Sequence, residues 1–97
     1  MQAGGYERRL YDHIAEMFGE RQDLLTWLFD PVEPKMRSPT DTVLRKARGF
    51  SSGEEVLIKL AVDLWCEEGG ARVSELSRLD PGQLLRVLKV LGSLYAS

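Results

Sequence analysis

His13 and Cys66, each the only residue of its type, are where acid–base or nucleophilic chemistry would have to start in this 97-residue sequence. A histidine acts as a general base only with a nucleophile or a substrate group at hydrogen-bond distance. Asp12 and Glu16 lie close to His13 in sequence, but a neighbour at i−1 on a helix points away. Only the generic chemistry of imidazole recommends His13, and a surface or boundary position is expected for it. A reactive cysteine is favoured at a helix N-terminus or beside cations. Cys66 instead precedes Glu67 and Glu68 at the negative end of an expected helix, so it reads as inert. The carboxylate pairs Glu54-Glu55 and Glu67-Glu68 fall at opposite ends of that helix, about 18 Å apart at 1.5 Å per residue, too far for one acid–base couple. No glycine-rich stretch has phosphate-loop or dinucleotide spacing. One thiol and one imidazole cannot make a structural zinc site. The sequence therefore predicts no catalytic residue, no cofactor-binding residue and no metal ligand, and a chain that is not an enzyme.

The basic side chains are unevenly spread. Residues 1–34 carry three basic and seven acidic groups and residues 49–68 one and five, a balance of −4 each. Between them, Lys35, Arg37, Arg45, Lys46 and Arg48 stand against Asp41 alone, and residues 69–97 are at +2 through Arg72, Arg78, Arg86 and Lys89. A total of −2 argues against strong non-specific binding to nucleic acid, yet it can hide one basic face. Lys35, Arg37, Arg45, Lys46, Arg48, Arg78, Gln83, Arg86 and Lys89 are the candidate contacts to nucleic acid or to a protein partner.

Helices must position these groups, because period-two strand patterns are nearly absent. Tyr6, Leu10, Ile14 and Met17 or Phe18 share one face of a helix over 6–18 that Gly19 would end. Residues 22–29 hold too many apolar groups for one stripe and suit a short helix buried on several sides. Pro31 and Pro34 forbid its continuation, which makes 30–38 a loop. Ser38 reads as a cap with Pro39 at the first helical position, opening a helix to about Arg48 with Gly49 as its stop. Arg45, Lys46 and Arg48 then sit where cations complement the helix dipole. Ser51 with Glu54, or Ser52 with Glu55, forms a capping box for a central helix that runs to about Glu67, before Gly69-Gly70. A short helix over 73–79 follows. Asp80, Pro81 and Gln83 start a last helix that reaches about Tyr95. Its polar residues Gln83, Arg86, Lys89 and Ser93 fall in one narrow stripe, so the remainder needs cover from its own domain or from a partner.

The segment Arg72-Val73-Ser74-Glu75-Leu76-Ser77-Arg78-Leu79-Asp80-Pro81-Gly82-Gln83, continuing through Arg86 and Lys89 to Leu91, resembles a helix-turn-helix of the winged-helix regulators. That resemblance implies a reading helix over 81–95 with Gln83, Arg86 and Lys89 toward DNA. The link after Leu76 is a residue or two shorter than usual, no β-wing pattern follows, and an αα-hairpin of two capped helices is the plainer description. Trp27-Leu28, Pro31 and Ser38-Pro39-Thr40-Asp41-Thr42-Val43-Leu44 are similar to a stretch of ParS/MbcA-like antitoxin domains, over about 18 residues; the glycines usual before that proline are missing.

The summed expectation is an all-α chain: a single small irregular bundle of five to six helices, one domain over 1–97, with 1–5 flexible. With 43% hydrophobic and 29% charged residues the composition is that of a folded domain. No apolar run spans a membrane. The N-terminus lacks the apolar stretch of a signal peptide, and a cytoplasmic location is expected. The expected function is that of a non-enzymatic protein-interaction domain, an accessory subunit, adaptor or inhibitor, with a protein partner or a homo-oligomer. The alternative is a nucleic-acid-binding regulator, including the toxin–antitoxin kind, working through 72–91 or 35–48.

Overall fold

Each helix begins or ends where its local chemistry dictates, and the order of elements follows. The structure is a computed structural model that describes residues 4–96. The expected flexibility of 1–5 falls partly outside that range, and helix α1 (Gly4–Phe18) takes in Gly4 and Gly5. It buries Leu10, Ile14, Met17 and Phe18. Gly19 follows with φ +58°, a left-handed conformation that glycine adopts without a Cβ clash. Helix α2 (Gln22–Leu28) buries Leu24, Leu25 and Leu28.

The proline loop contains a feature the periodicity does not show. Strands β1 (Phe29–Asp30) and β2 (Lys35–Met36) form an antiparallel ladder with Phe29 opposite Met36 and Asp30 opposite Lys35. Two residues per strand are too few for an alternation signal. The reversal is held from outside: Asp30 Oδ1 accepts from the Val32 N–H at 2.9 Å, and Arg8 Nη2 donates to the Pro31 and Val32 carbonyls.

Helix α3 (Thr40–Ala47) starts one residue later than expected. Pro39, with extended backbone, is the flanking residue and its carbonyl accepts from the Val43 N–H; Ser38 does not cap the helix. Helix α4 (Ser52–Cys66) is the central one. Of its two available capping boxes the chain uses Ser51 with Glu54, both halves made at 3.3 and 3.0 Å. Val56, Leu57, Ile58, Ala61 and Val62 are all buried, which wraps the core around more than one side of this helix. Its C-terminus relies on Asp63. That carboxylate accepts from the N–H groups of Gly69, Gly70 and Ala71 at 2.7, 3.0 and 2.8 Å, folding the chain back against the helix. A Cβ at Gly69 would collide with the Lys59 carbonyl, so only glycine fits there.

The short helix expected over 73–79 is a 3₁₀ helix, Val73–Arg78. Helix α5 (Pro81–Tyr95) follows after Leu79 and Asp80, with the reciprocal Asp80–Gln83 box in place. It lies antiparallel beside α1: Arg86 covers Gly19, Lys89 reaches Glu16 at 3.1 Å, and Ser93 and Leu94 come beside Leu10 and His13. The described residues thus make an all-α bundle of six helices, one of them 3₁₀, with one two-stranded ladder. Phe29 sits at its centre, edge-to-face with Tyr11 at 5.7 Å and with Trp65 at 5.0 Å. The radius of gyration, 12.7 Å, is that of a compact globule of this length.

Candidate functional site

Helix α5 has two apolar sides, and its own domain covers one of them. Val87 and Val90 are completely buried, and Leu84, Leu91 and Leu94 pack partly against the core. The other side looks outward. Pro81, Leu85, Leu88, Gly92 and Tyr95 recur at four, three, four and three residues, which places them in one row along the helix. All five are exposed: Leu85 is 69%, Leu88 48% and Tyr95 73% accessible. An ordinary surface helix turns its charged residues to water, opposite its apolar stripe. Here the two cations of α5 point sideways to α1, Arg86 over Gly19 and Lys89 to Glu16, and the outward row carries no charge.

The row widens on the side away from α1. Leu91 borders a shallow hollow of about 120 Å³ shared with Leu60, Asp63, Ala71, Arg72, Val73 and Leu76. Val73 stands at its rim, 84% exposed. Single exposed apolar residues such as Val32 and Tyr6 are commonplace; a run of leucine, leucine and tyrosine along one uncharged helix side is not. The tryptophans do not contribute to it. Trp27 packs edge-to-face on Phe50 at 5.1 Å and Trp65 on Phe29, so both pack, partly buried, against the core.

The basic candidates divide into two sets. Arg78, Gln83 and Lys89 are engaged within the fold, Arg78 with Glu75 at 3.4 Å, Gln83 in the cap and Lys89 with Glu16, while Arg86 lies over Gly19 with its Nε buried and without a hydrogen-bond partner among the described residues. Lys35, Arg37, Arg45, Lys46 and Arg48 are exposed and have no acidic partner within 4.0 Å among the described residues. Lys35 and Arg37 belong to the hairpin, where Arg37 Nε donates to the Thr26 carbonyl at 2.6 Å. Arg45, Lys46 and Arg48 gather at the end of α3, where the helix dipole accounts for cations.

A groove of about 330 Å³ between α1 and α5 is lined by Tyr6, Arg9, Leu10, His13, Ser93 and Leu94. No carboxylate lines it, so His13 has no acid partner there. Cys66 lies 3.6 Å from Thr40 Oγ1, half-buried at the junction of α3 and α4. Among the described residues no three His, Cys, Asp or Glu side chains are grouped to hold a metal ion, and no helix is long and apolar enough to cross a membrane.

The sequence marked α5 as short of cover but could not say which side stays open. It also missed Val73 as an exposed residue, reading it as the start of the short helix over 73–79 and as part of the helix-turn-helix-like segment. The uncharged row and the interior glycine at 92 were the available signals. Among known proteins the chain matches no family model, the winged-helix and antitoxin resemblances included, and it matches no curated protein and no solved structure.

Proposed function

We propose that this protein is a non-enzymatic interaction module that docks another protein surface on the outward row of α5. The observation that carries this is the uncharged row itself: Leu85, Leu88 and Tyr95 exposed together on a helix whose cations are turned aside. Burial of such side chains is worth roughly 1.5–3 kcal/mol each, which makes water a poor final neighbour for them. Aromatic anchors beside apolar residues, ringed by polar groups, are what interface hot spots are made of. Lys89, Ser93 and Arg72 supply that rim.

Two measurements test it. Leu85→Glu and Leu88→Glu should leave folding stability within about 0.5 kcal/mol of the parent, as substitutions on an unpacked surface do. Val90→Glu, on the opposite side of the same helix, should unfold the chain. A photo-crosslinking residue in place of Leu88 should give one discrete adduct in cells, whereas one in place of exposed Glu7 on α1 should give none. A large loss of stability in Leu88→Glu, or no adduct from position 88, would end the proposal.

A second reading has its own observation: five exposed cations of 35–48 without acidic partners among the described residues. Phosphate contacts would give binding that weakens steeply with salt. Fluorescence polarisation with duplex and single-stranded DNA in low salt checks it, and no binding at micromolar protein rejects it.

A further inference from the structure

We infer that the groove between α1 and α5 is a binding site for a small carboxylate with an apolar body. Its walls supply donors. Tyr6, Arg9, Leu10 and His13 line it from α1, and Ser93 and Leu94 from α5. All four polar side chains among them can donate a hydrogen bond: the Arg9 guanidinium, an imidazole N–H of His13, and the hydroxyls of Tyr6 and Ser93. A guanidinium has no acceptor atom, and no carboxylate or amide side chain lines the groove. The complement to such a wall is a group that only accepts, and an ionised carboxylate is that group.

The fold sorts the charges of α1 to produce this. Glu7, Asp12 and Glu16 outnumber the two arginines of the helix, yet all three acids stay out of the groove. Glu16 is held by Lys89, and Arg8 is turned to the hairpin, where it donates to the Pro31 and Val32 carbonyls. Arg9 and His13, one helical turn apart, are left together on the groove side. Neither has an acidic partner within 4.0 Å among the described residues. In a chain of net charge −2, that makes a local positive spot able to draw in an anion. Arg9 is the one permanent cation of the lining, which matches the single charge of a carboxylate better than the nearly double charge of a phosphate monoester.

The rest of the groove is apolar. Leu10 is buried and Leu94 partly buried, and together they form its base. Its volume of about 330 Å³ lies at the lower end of small-molecule sites. That suits an aryl ring or a short alkyl chain laid on the leucines, with the carboxylate at Arg9. Neither Ser93 nor Leu94 belongs to the outward row of α5, so this site is independent of the docking reading.

Phenylacetate, titrated into the isotope-labelled chain and followed by NMR, is the test. The backbone signals of Tyr6, Arg9, His13 and Ser93 should move together, with a dissociation constant of about 1 mM or tighter. Its neutral counterpart phenylacetamide should bind about tenfold more weakly or worse, because the charge-assisted bond to Arg9 is lost, and Arg9→Gln should weaken phenylacetate by a similar factor. Arg8→Gln removes the same charge one residue away, on the side facing the hairpin, and should leave the affinity unchanged. Ser93→Trp fills the groove without altering a charge and should abolish binding. Circular dichroism confirms that each variant is folded. No movement of signals at about 10 mM phenylacetate overturns the inference. So do signals that move away from the groove, equal binding of the amide, an equal loss in Arg8→Gln, or binding that survives Ser93→Trp.

Discussion

Three donors converge on the carboxylate of Glu75: Lys59 Nζ at 2.8 Å, the Arg72 N–H at 2.9 Å and Arg78 Nη1 at 3.4 Å. The side chain is almost wholly buried. The Lys59 hydrogen bond, then that from the Arg72 backbone, holds its carboxyl below the ordinary value of 4.5. A lowered folded value means that the ionised form favours the fold. Its contribution is complete above 4.5 and is lost as the pH falls below that value. Glu54, held down by the Ser51 N–H and by Arg21, acts in the same direction. Urea unfolding at a series of pH values should show stability declining below about pH 4.5. Glu75→Gln should cost about 1–3 kcal/mol at pH 7, because Lys59 loses its partner in a partly buried setting, and should flatten the acid limb. Gly19 makes a second residue-scale case. Its φ of +58° disfavours any side chain, and a Cβ would collide with the Arg86 guanidinium. Gly19→Ala should destabilise by about 1–2 kcal/mol, and combining it with Arg86→Ala should return the steric part in a double-mutant cycle.

At the scale of elements, α4 and α5 show how caps and sides divide the work. Both helices begin with a complete capping box, and Ser51→Ala or Asp80→Ala should each cost about 1 kcal/mol in thermal or urea unfolding. The far end of α4 depends on Asp63, which gathers three backbone N–H groups. Asp63→Ala should cost about 1–3 kcal/mol and raise hydrogen exchange in residues 69–71, where those donors lose their acceptor. α5 responds differently on its two sides. Gly92→Ala should stabilise the chain by about 0.5–1 kcal/mol, since the methyl meets nothing and the helix gains propensity. A destabilised Gly92→Ala chain would mean that residue 92 is packed against its own fold. The 3₁₀ helix is fixed to α4 through Glu75 and Lys59, and its Arg78 is tied back to Glu75.

For the molecule as a whole, the bundle closes on one core centred on Phe29 and leaves two kinds of surface unresolved by its own contacts. One is the uncharged row of α5; the other is the set of exposed cations on 35–48, which have no acidic partner among the described residues. They call for different partners and respond to salt in opposite ways. Apolar docking strengthens or holds as salt rises, while phosphate binding weakens. Comparing the crosslink at position 88 with DNA binding at about 0.05 and 0.5 M salt therefore separates them. Association through α5 should persist at the higher salt.

Much of this architecture is written locally. Capping signals at Ser51–Glu54 and Asp80–Gln83, the breaks at Pro31, Pro34, Gly19 and Gly49, and the three-and-four spacing of α1 fix where helices start, stop and turn an apolar side inward. These depend on neighbours a few residues away. The candidate face was legible only as a surplus: α5 has more apolar residues than one side can use. Which of them stay outside was decided by the packing of α1, the 3₁₀ helix and α4 around it. The same long-range contacts buried Glu75, gave Asp63 its three donors, packed both tryptophans against the core and turned Arg86 and Lys89 toward α1. A helix sequence specifies its own hydrogen bonds and the angular positions of its side chains. The direction from which neighbours arrive depends on residues far along the chain, and that direction determines which side of α5 meets water.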